Sequence, residues 1–235
     1  VEPEFNKWAP EEITVHVQRM FRRRAVLSAS DLSDMQLHMD EDCRRLKFSR
    51  PDFMMYACTS GSSLETGGYD KKIADRISSV TDVSASTTAT AVAKGLEQLG
   101  IKKIAMVTPY PEDINNREIA FLRDLGFDPV NLRSFLLDDS YKIPVIPQAD
   151  TYSMALQADC ADAEGIFISC TNLPTSNIIE RLEQALGKPV VTSNQASMWL
   201  SLRKMGVDSE VPNAGKLFRE QLAKEVSPSP SKAEA

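Results

Sequence analysis

The sequence has few of the residues on which metal sites depend. It contains four cysteines and two histidines in 235 residues, and no two cysteines form a C-x-x-C pair. A structural zinc site needs four such ligands at short spacing, so we expect none. Because no secretory signal pattern is visible, we expect a cytoplasmic protein whose cysteines are free thiols.

Signatures of nucleotide binding and of serine hydrolases are also missing. The chain has no G-x-G-x-x-G and no G-x-x-x-x-G-K sequence, so nothing predicts a loop that cradles phosphates. It has no G-x-S-x-G sequence, and neither His16 nor His38 lies near the end of a predicted strand. A Ser–His or Cys–His nucleophile pair is therefore not indicated.

Long apolar runs and an excess of positive charge are absent as well. No run reaches the roughly 18 residues that a transmembrane helix requires. The 27 lysines and arginines are outnumbered by 33 acidic residues, which gives a net charge of −6. We therefore expect neither a membrane nor nucleic acid as a partner, and interpret Arg22-Arg23-Arg24 as a solvated segment.

What the sequence does have is a regular alternation of predicted strands and helices. Ile13–Val17 is the first predicted strand, a single helix is predicted over about 31–47, and Cys43 is placed in the core. A last helix is predicted from Pro212 to about residue 224, followed by a disordered tail over 226–235. Alternating elements of this kind indicate parallel βαβ units and an α/β fold.

Two of the predicted strands end in a cysteine that is followed by polar side chains. Because ligands bind at the carboxyl ends of strands in open α/β sheets, both ends are candidate sites. The two segments are Ala57-Cys58-Thr59-Ser60-Gly61-Ser62 and Ile166-Phe167-Ile168-Ser169-Cys170-Thr171-Asn172.

Two thiols that face each other across a small ligand could perform two kinds of chemistry. They could exchange a proton at a carbon acid, with one acting as base and the other as acid. Alternatively, one could add to an electrophilic carbon while the other supplies a proton. The neighbouring hydroxyl and turn N–H groups are expected to lower the thiol pKa values. Position alone leaves open that Cys58 and Cys170 are buried structural thiols.

Together with two further segments, the cysteine segments resemble a known superfamily. The combination is similar to the aspartate/glutamate racemase superfamily, and within it to the branch of maleate cis-trans isomerase and arylmalonate decarboxylase. The resemblance covers about residues 1–206. The further segments are Val107-Thr108-Pro109-Tyr110 and Pro189-Val190-Val191-Thr192-Ser193-Asn194-Gln195-Ala196.

The resemblance implies two similar α/β lobes, each a parallel sheet flanked by helices, with the active site in the cleft between them. The first lobe is expected to comprise residues 1–98 and 194–225, and the second residues 99–193. Members of this branch begin with a strand and a Pro/Ser/Asn-rich loop. We expect both upstream of Val1, with the strand inside the sheet of the first lobe.

The resemblance also implies a cofactor-independent isomerase of a small dicarboxylate, with conversion of maleate to fumarate as the expected reaction. Cys58 would attack an alkene carbon, and Cys170 would act as acid or base. No metal or organic cofactor is implied, and the enzyme would be a homo-oligomer, a dimer or a tetramer. The residues expected to bind the substrate are Thr59, Ser60, Tyr110, Thr171 and Asn172.

Three alternatives stay open. The chain could be an amino-acid or hydantoin-type racemase that uses both thiols as bases. It could be an arylmalonate-type decarboxylase, in which the position of Cys58 lacks cysteine and the cysteine at the position of Cys170 protonates the enediolate. It could also be a non-catalytic carboxylate-binding relative. The presence of both cysteines favours an isomerase or a racemase over a decarboxylase.

Overall fold

A computed structural model describes residues 1–220, which form six strands and ten α-helices. The strands are β1 (Met54–Tyr56), β2 (Ala85–Thr87), β3 (Lys103–Thr108), β4 (Asp128–Ser134), β5 (Gly165–Ile168) and β6 (Val190–Thr192). The helices are α1 (Glu2–Trp8), α2 (Ala29–Asp34), α3 (Met39–Lys47), α4 (Thr59–Ser62), α5 (Tyr69–Thr81), α6 (Thr88–Gln98), α7 (Glu112–Asp124), α8 (Gln148–Ala158), α9 (Ile179–Leu186) and α10 (Ser193–Lys204). Within the described residues, no helix combines the length and the apolar character that crossing a membrane requires.

All strand pairs are parallel, as the alternation of elements predicts. Strands β1 and β2 form one sheet, and a second sheet has the order β4-β3-β5-β6. The central strands β3 and β5 are buried almost throughout, because helices cover both faces of a parallel sheet. The α/β class with parallel sheets and flanking helices is thereby confirmed.

Helix α10 leads from the second sheet back to the first. It begins directly after β6, where Thr192 and Gln195 form a capping box. Its residues Ser193 to Arg203 are all buried, and the helix packs against α6 and β1. The helix therefore fixes the end of β6 relative to the first sheet. The predicted lobe boundaries at residues 98/99 and 193/194 stay a prediction.

The predicted strand at Ile13–Val17 is wrong, because these residues form no regular element. A strand exists only through hydrogen bonds to a neighbouring strand, and β1 pairs with β2 alone among the described residues. Residues 13–20 and Met54–Tyr56 instead line a groove of about 970 Å³, which Cys58 also lines. The strand expected upstream of Val1 stays a prediction.

The single helix predicted over 31–47 is also wrong, because the chain forms α2 and α3 with a turn between them. The apolar residues of this stretch serve two separate cores. Leu32 packs in the main core, whereas Met39 packs in a smaller cluster beneath α5. Cys43 is half-buried at the edge of that smaller cluster.

The C-terminal predictions are only partly within the described residues. The helix predicted from Pro212 is replaced by a short 3-10 turn at Lys216–Arg219. Residues 221–224 and the predicted tail over 226–235 lie outside the described part of the chain.

Two glycines that differ in their surroundings test the packing of the second sheet. Replacing Gly165 by alanine should lower the free energy of unfolding by about 1–3 kcal/mol. The added Cβ would lie 2.7 Å from Ile101 Cδ1 and 3.0 Å from the Pro189 carbonyl oxygen, and that backbone cannot move aside. Urea denaturation measures the change.

The matched control is Gly95→Ala within α6. There the nearest atom is the end of the flexible Leu217 side chain at 3.0 Å. Alanine is also more stable than glycine in a helix interior, by about 1 kcal/mol. This variant should therefore be as stable as the parent or more so, and equal losses for both variants would contradict the packing argument.

Candidate active site

Cys58 lies two residues beyond β1, where it caps the short helix α4. Its Sγ accepts a hydrogen bond from the Gly61 N–H at 3.3 Å and lies 3.9 Å from the Ser60 hydroxyl. A Cβ at Gly61 would come within 2.9 Å of this sulfur and 2.8 Å of the Tyr56 hydroxyl. A side chain at this position would therefore force the Cys58 thiol and the Tyr56 hydroxyl to shift.

Cys170 lies two residues beyond β5 and has an unusual backbone conformation. Its φ angle is +98°, a value that residues other than glycine rarely adopt. Its N–H donates to Ser193 Oγ at 3.0 Å, and the Asn172 N–H points back at its sulfur at 3.4 Å. Such strained residues are concentrated at functional sites, where the surrounding bonds hold them in place.

Ser193, the first residue of α10, connects the two cysteine loops. Its buried Oγ accepts from the Thr59 hydroxyl at 2.8 Å as well as from the Cys170 N–H. A second connection is made by Thr171, whose hydroxyl donates to the carbonyl oxygen of Ala57 at 3.2 Å. The two strand ends thus form one polar site, as their similar sequences indicated.

A buried carboxylate on α1 holds the loop that follows Cys170. Glu4 accepts from the N–H groups of Thr175 and Ser176, both at 2.6 Å, and from Asn194 Nδ2 at 2.6 Å. Asn194 Nδ2 also donates to the carbonyl oxygen of Thr171 at 2.9 Å. The sequence analysis missed Glu4, although an acidic residue on the buried face of a helix is a recognisable signal.

Tyr110 follows β3 and turns its ring into the protein. Its carbonyl oxygen accepts from Asn115 Nδ2 at 2.9 Å and from the Ser134 hydroxyl at 2.6 Å, which fixes the backbone. Its hydroxyl lies 3.3 Å from Ser169 Oγ and acts on the neighbouring Cys170 thiol in the direction of a lower pKa. Burial raises the pKa of Tyr110 well above its usual value, so the phenol keeps its hydrogen.

Burial decides the protonation of both thiols. It raises the pKa of Cys58, although the Gly61 N–H and the Ser60 hydroxyl act in the lowering direction. It raises the pKa of Cys170 to about 11. The Asn172 N–H and Tyr110 lower this pKa, whereas the nearby charge of Cys58 raises it further. The polar neighbours thus lower the thiol pKa values as expected, but burial raises them by more, because desolvation disfavours a thiolate. At neutral pH, Cys170 is therefore a thiol that can supply a proton.

The structure brings most of the predicted site residues together. Thr59 and Thr171 are buried. Their hydroxyl groups donate to Ser193 Oγ and to the Ala57 carbonyl oxygen, which join the two loops, rather than to the cleft. Ser60 lies beside the Cys58 sulfur, and the Asn172 side chain is exposed. A role of these residues in binding a substrate stays a prediction.

Glu118 on α7 is a further site residue that the sequence analysis missed. It is buried, and its Oε1 lies 2.7 Å from Ser169 Oγ. Burial raises its pKa to about 7, with Ser169 acting in the opposite direction. Its place on the buried face of α7, between Ile114 and Phe121, was the available signal.

In the part of the chain that is described, no group of His, Cys, Asp and Glu could hold a metal ion.

Comparison with known proteins identifies the family of this chain. The model of the arylmalonate decarboxylase family matches residues 36–218. The chain belongs to this family. It is 30% identical over 183 residues to an arylmalonate decarboxylase of Bordetella bronchiseptica, covering 77% of this chain and 76% of that protein.

Maleate isomerases are relatives of this family member over a longer stretch. The maleate isomerase of Geobacillus stearothermophilus is 26% identical over 219 residues, which is 90% of this chain and 86% of that protein. The fold matches a Nocardia farcinica maleate cis-trans isomerase mutant with a covalently bound succinylcysteine intermediate, at a TM-score of 0.86 and 22% identity. That match covers 92% of this chain and 91% of the other, and it shows the fold.

The raised pKa of Cys170 predicts how this family member reacts with an alkylating reagent. Only the thiolate reacts, so the rate at Cys170 should rise about tenfold per pH unit and still be rising between pH 9 and pH 10.5. Iodoacetamide labelling of the Cys170 peptide, followed by mass spectrometry, measures the rate. A plateau below pH 8 would contradict the dominant role of burial.

Removing the connecting hydroxyl should destabilise the site. Ser193→Ala leaves the Thr59 hydroxyl and the Cys170 N–H without their acceptor in a buried place. We expect the free energy of unfolding to fall by about 1–3 kcal/mol in urea denaturation. The control is Ser153→Ala, which removes an exposed hydroxyl of α8 and should change stability by no more than about 0.5 kcal/mol. Equal values for the two variants would rule out a structural role of Ser193.

Proposed function

We propose that this chain is a cysteine-dependent isomerase that converts maleate to fumarate. The observation that carries the proposal is the pair of cysteine loops held to one another by Ser193. The decarboxylase pattern lacks the first of these cysteines, whereas this chain has both Cys58 and Cys170. The maleate isomerase relatives, which match about 90% of the chain, support the same choice.

In the proposed reaction, Cys58 is the nucleophile and Cys170 the acid and base. The Cys58 thiolate forms a bond to one alkene carbon of maleate, and the electrons of the double bond move to the other alkene carbon. The Cys170 thiol protonates that carbon, which leaves a single bond about which the adduct can rotate. The Cys170 thiolate then removes a proton from the same carbon, the double bond re-forms, and the Cys58–carbon bond breaks to release fumarate.

A cysteine adduct of this type has a precedent in the fold. The Nocardia farcinica maleate cis-trans isomerase holds a covalently bound succinylcysteine intermediate. In this chain, the raised pKa of Cys170 supports its part as proton donor, since the thiol is fully protonated before the substrate arrives.

We assign binding of the substrate carboxylates to the polar groups around the two thiols. The Ser60 hydroxyl lies 3.9 Å from the Cys58 sulfur, and Asn172 directs its backbone N–H to the Cys170 sulfur. Tyr110 has a phenol that keeps its hydrogen at neutral pH. Thr59 and Thr171 donate their hydroxyl hydrogens to the scaffold. Thr59 can contribute its backbone N–H group instead, because the first N–H groups of a helix such as α4 have no acceptor within it.

The remaining parts of the proposal concern the setting of the enzyme. We propose that it works without a metal or an organic cofactor, because two thiols suffice for the addition, the proton transfers and the elimination. We also propose a cytoplasmic enzyme that is a homo-oligomer, a dimer or a tetramer.

Removal of the Cys58 thiol tests the proposal directly. Cys58→Ala should lower kcat/KM for maleate by at least about a thousandfold, because no other nucleophile lies at that position. Conversion of maleate to fumarate is followed by the proton NMR signals of the two alkenes. The protein incubated with maleate should also carry an adduct on the peptide that contains Cys58.

The matched control is Cys43→Ala, which removes a half-buried thiol at the smaller apolar cluster. This variant should retain at least half of the parent activity. Absence of turnover by the parent protein, or full activity after loss of Cys58, would contradict the proposed function.

Decarboxylation of a malonate derivative is the second candidate. It is favoured by the family match and by the 30% identity to an arylmalonate decarboxylase. This reaction would need Cys170 but not Cys58. Carbon dioxide release from phenylmalonate that persists in the Cys58→Ala variant would support this candidate over the isomerase.

A further inference from the structure

Glu118 has no part in the reaction steps above, yet it is connected to the reacting thiols by a line of hydrogen-bonding groups. Its Oε1 lies 2.7 Å from Ser169 Oγ, which in turn lies 3.3 Å from the Tyr110 hydroxyl. The Tyr110 hydroxyl in turn acts on the neighbouring Cys170 thiol in the direction of a lower pKa, as a hydrogen-bond donor does. The line therefore runs from a buried carboxyl group to the proposed proton donor.

The direction of the hydrogen bonds in this line depends on whether Glu118 is protonated. A serine hydroxyl has one hydrogen to donate. When Glu118 is ionised, its oxygen attracts the Ser169 hydrogen, and Ser169 can then only accept from Tyr110. When Glu118 is protonated, it can donate to Ser169, Ser169 can donate to Tyr110, and the Tyr110 hydrogen is free for Cys170.

We propose that Glu118 is a positioning residue that acts through Ser169 to set the direction in which the Tyr110 hydroxyl donates its hydrogen. In the enzyme without substrate and with Glu118 protonated, Tyr110 donates to the Cys170 sulfur and stabilises its thiolate. With Glu118 ionised, Tyr110 is turned towards Ser169 and the thiolate loses this donor. The effect on the Cys170 thiol is independent of the substrate, whereas its effect on turnover rests on the proposed function.

The surroundings of Glu118 allow both of its states to be reached. No ion pair among the described residues involves Glu118, and its Oε2 has no hydrogen-bond partner there. The ionisable groups that face it are Tyr110 and Cys58, whose pKa values its charge raises, and Cys170 beyond Tyr110. Without a cation to hold it ionised, the carboxyl group changes state near neutral pH, since burial raises its pKa to about 7.

The test measures the reactivity of Cys170 in a Cys58→Ser background, so that no substrate is needed. Adding Glu118→Gln gives a neutral side chain of the same shape. We expect iodoacetamide labelling of the Cys170 peptide at pH 8.5 to become about three to ten times faster, because the thiolate regains its donor. The matched control is Glu112→Gln on the exposed face of the same helix, which should change the rate less than twofold.

A double-mutant cycle with Tyr110→Phe separates the proposal from a simple effect of charge. If Glu118 acts through the Tyr110 hydrogen, Glu118→Gln should have less than half of its effect in the Tyr110→Phe background. An unchanged labelling rate after Glu118→Gln would overturn the proposal. An acceleration of the same size with and without the phenol would also overturn it, because charge alone would then account for the change.

A second variant is available if Glu118→Gln does not fold. Ser169→Ala removes the connecting hydroxyl and leaves Tyr110 free to donate to Cys170, so it should accelerate labelling in the same way. A folded Ser169→Ala protein with an unchanged rate would count against the proposal. Circular dichroism and the melting temperature establish that each variant is folded.

Turnover gives a readout that depends on the proposed function. The logarithm of kcat/KM for maleate should rise with pH as Cys58 ionises, and the slope should decrease above about pH 7 as Glu118 ionises. The decrease should be absent in Glu118→Gln, and a decrease that persists in this variant would overturn the role of Glu118. If the parent protein does not turn over maleate, the proposed function fails, while the labelling cycle still decides the inference.

Discussion

The two hydrogen bonds accepted by Ser193 are the interaction on which the site depends. The thiols belong to different sheets, and neither sheet alone would fix the distance between them. Ser193 lies at the start of α10, which packs against the first sheet after leaving the second. The hydroxyl that joins Thr59 to Cys170 is thus positioned by the element that joins the two sheets.

Burial gives the site its chemical character. Because burial disfavours their charged forms, Cys170 holds its proton, Tyr110 remains a phenol, and Glu118 has a pKa near neutral pH. In water these three groups would have ordinary properties and would not influence one another strongly. The same desolvation makes every hydrogen bond in the site costly to lose, which explains why Glu4 accepts several donors rather than one.

The family of this chain contains two chemistries on one scaffold. In the proposed reaction, the difference between them is whether a nucleophile is present opposite the proton donor, and Cys58 is the residue proposed for that role here. The scaffold itself is common to both, so the fold does not choose between an isomerase and a decarboxylase. Under the proposed function, the choice depends on the Cys58 thiol, which lies against Gly61 at the start of α4.

The sequence by itself determined the α/β class, the order of most elements and the two cysteine segments, because alternating apolar runs and strand-end polar residues are local signals. It could not determine features that depend on distant partners. Ile13–Val17 has the pattern of a strand but has no neighbouring strand within residues 1–220, and the stretch over 31–47 divides because it serves two cores. The roles of Glu4 and Glu118, and the dominance of burial over the polar neighbours of the thiols, arise only when distant segments enclose these groups and exclude water.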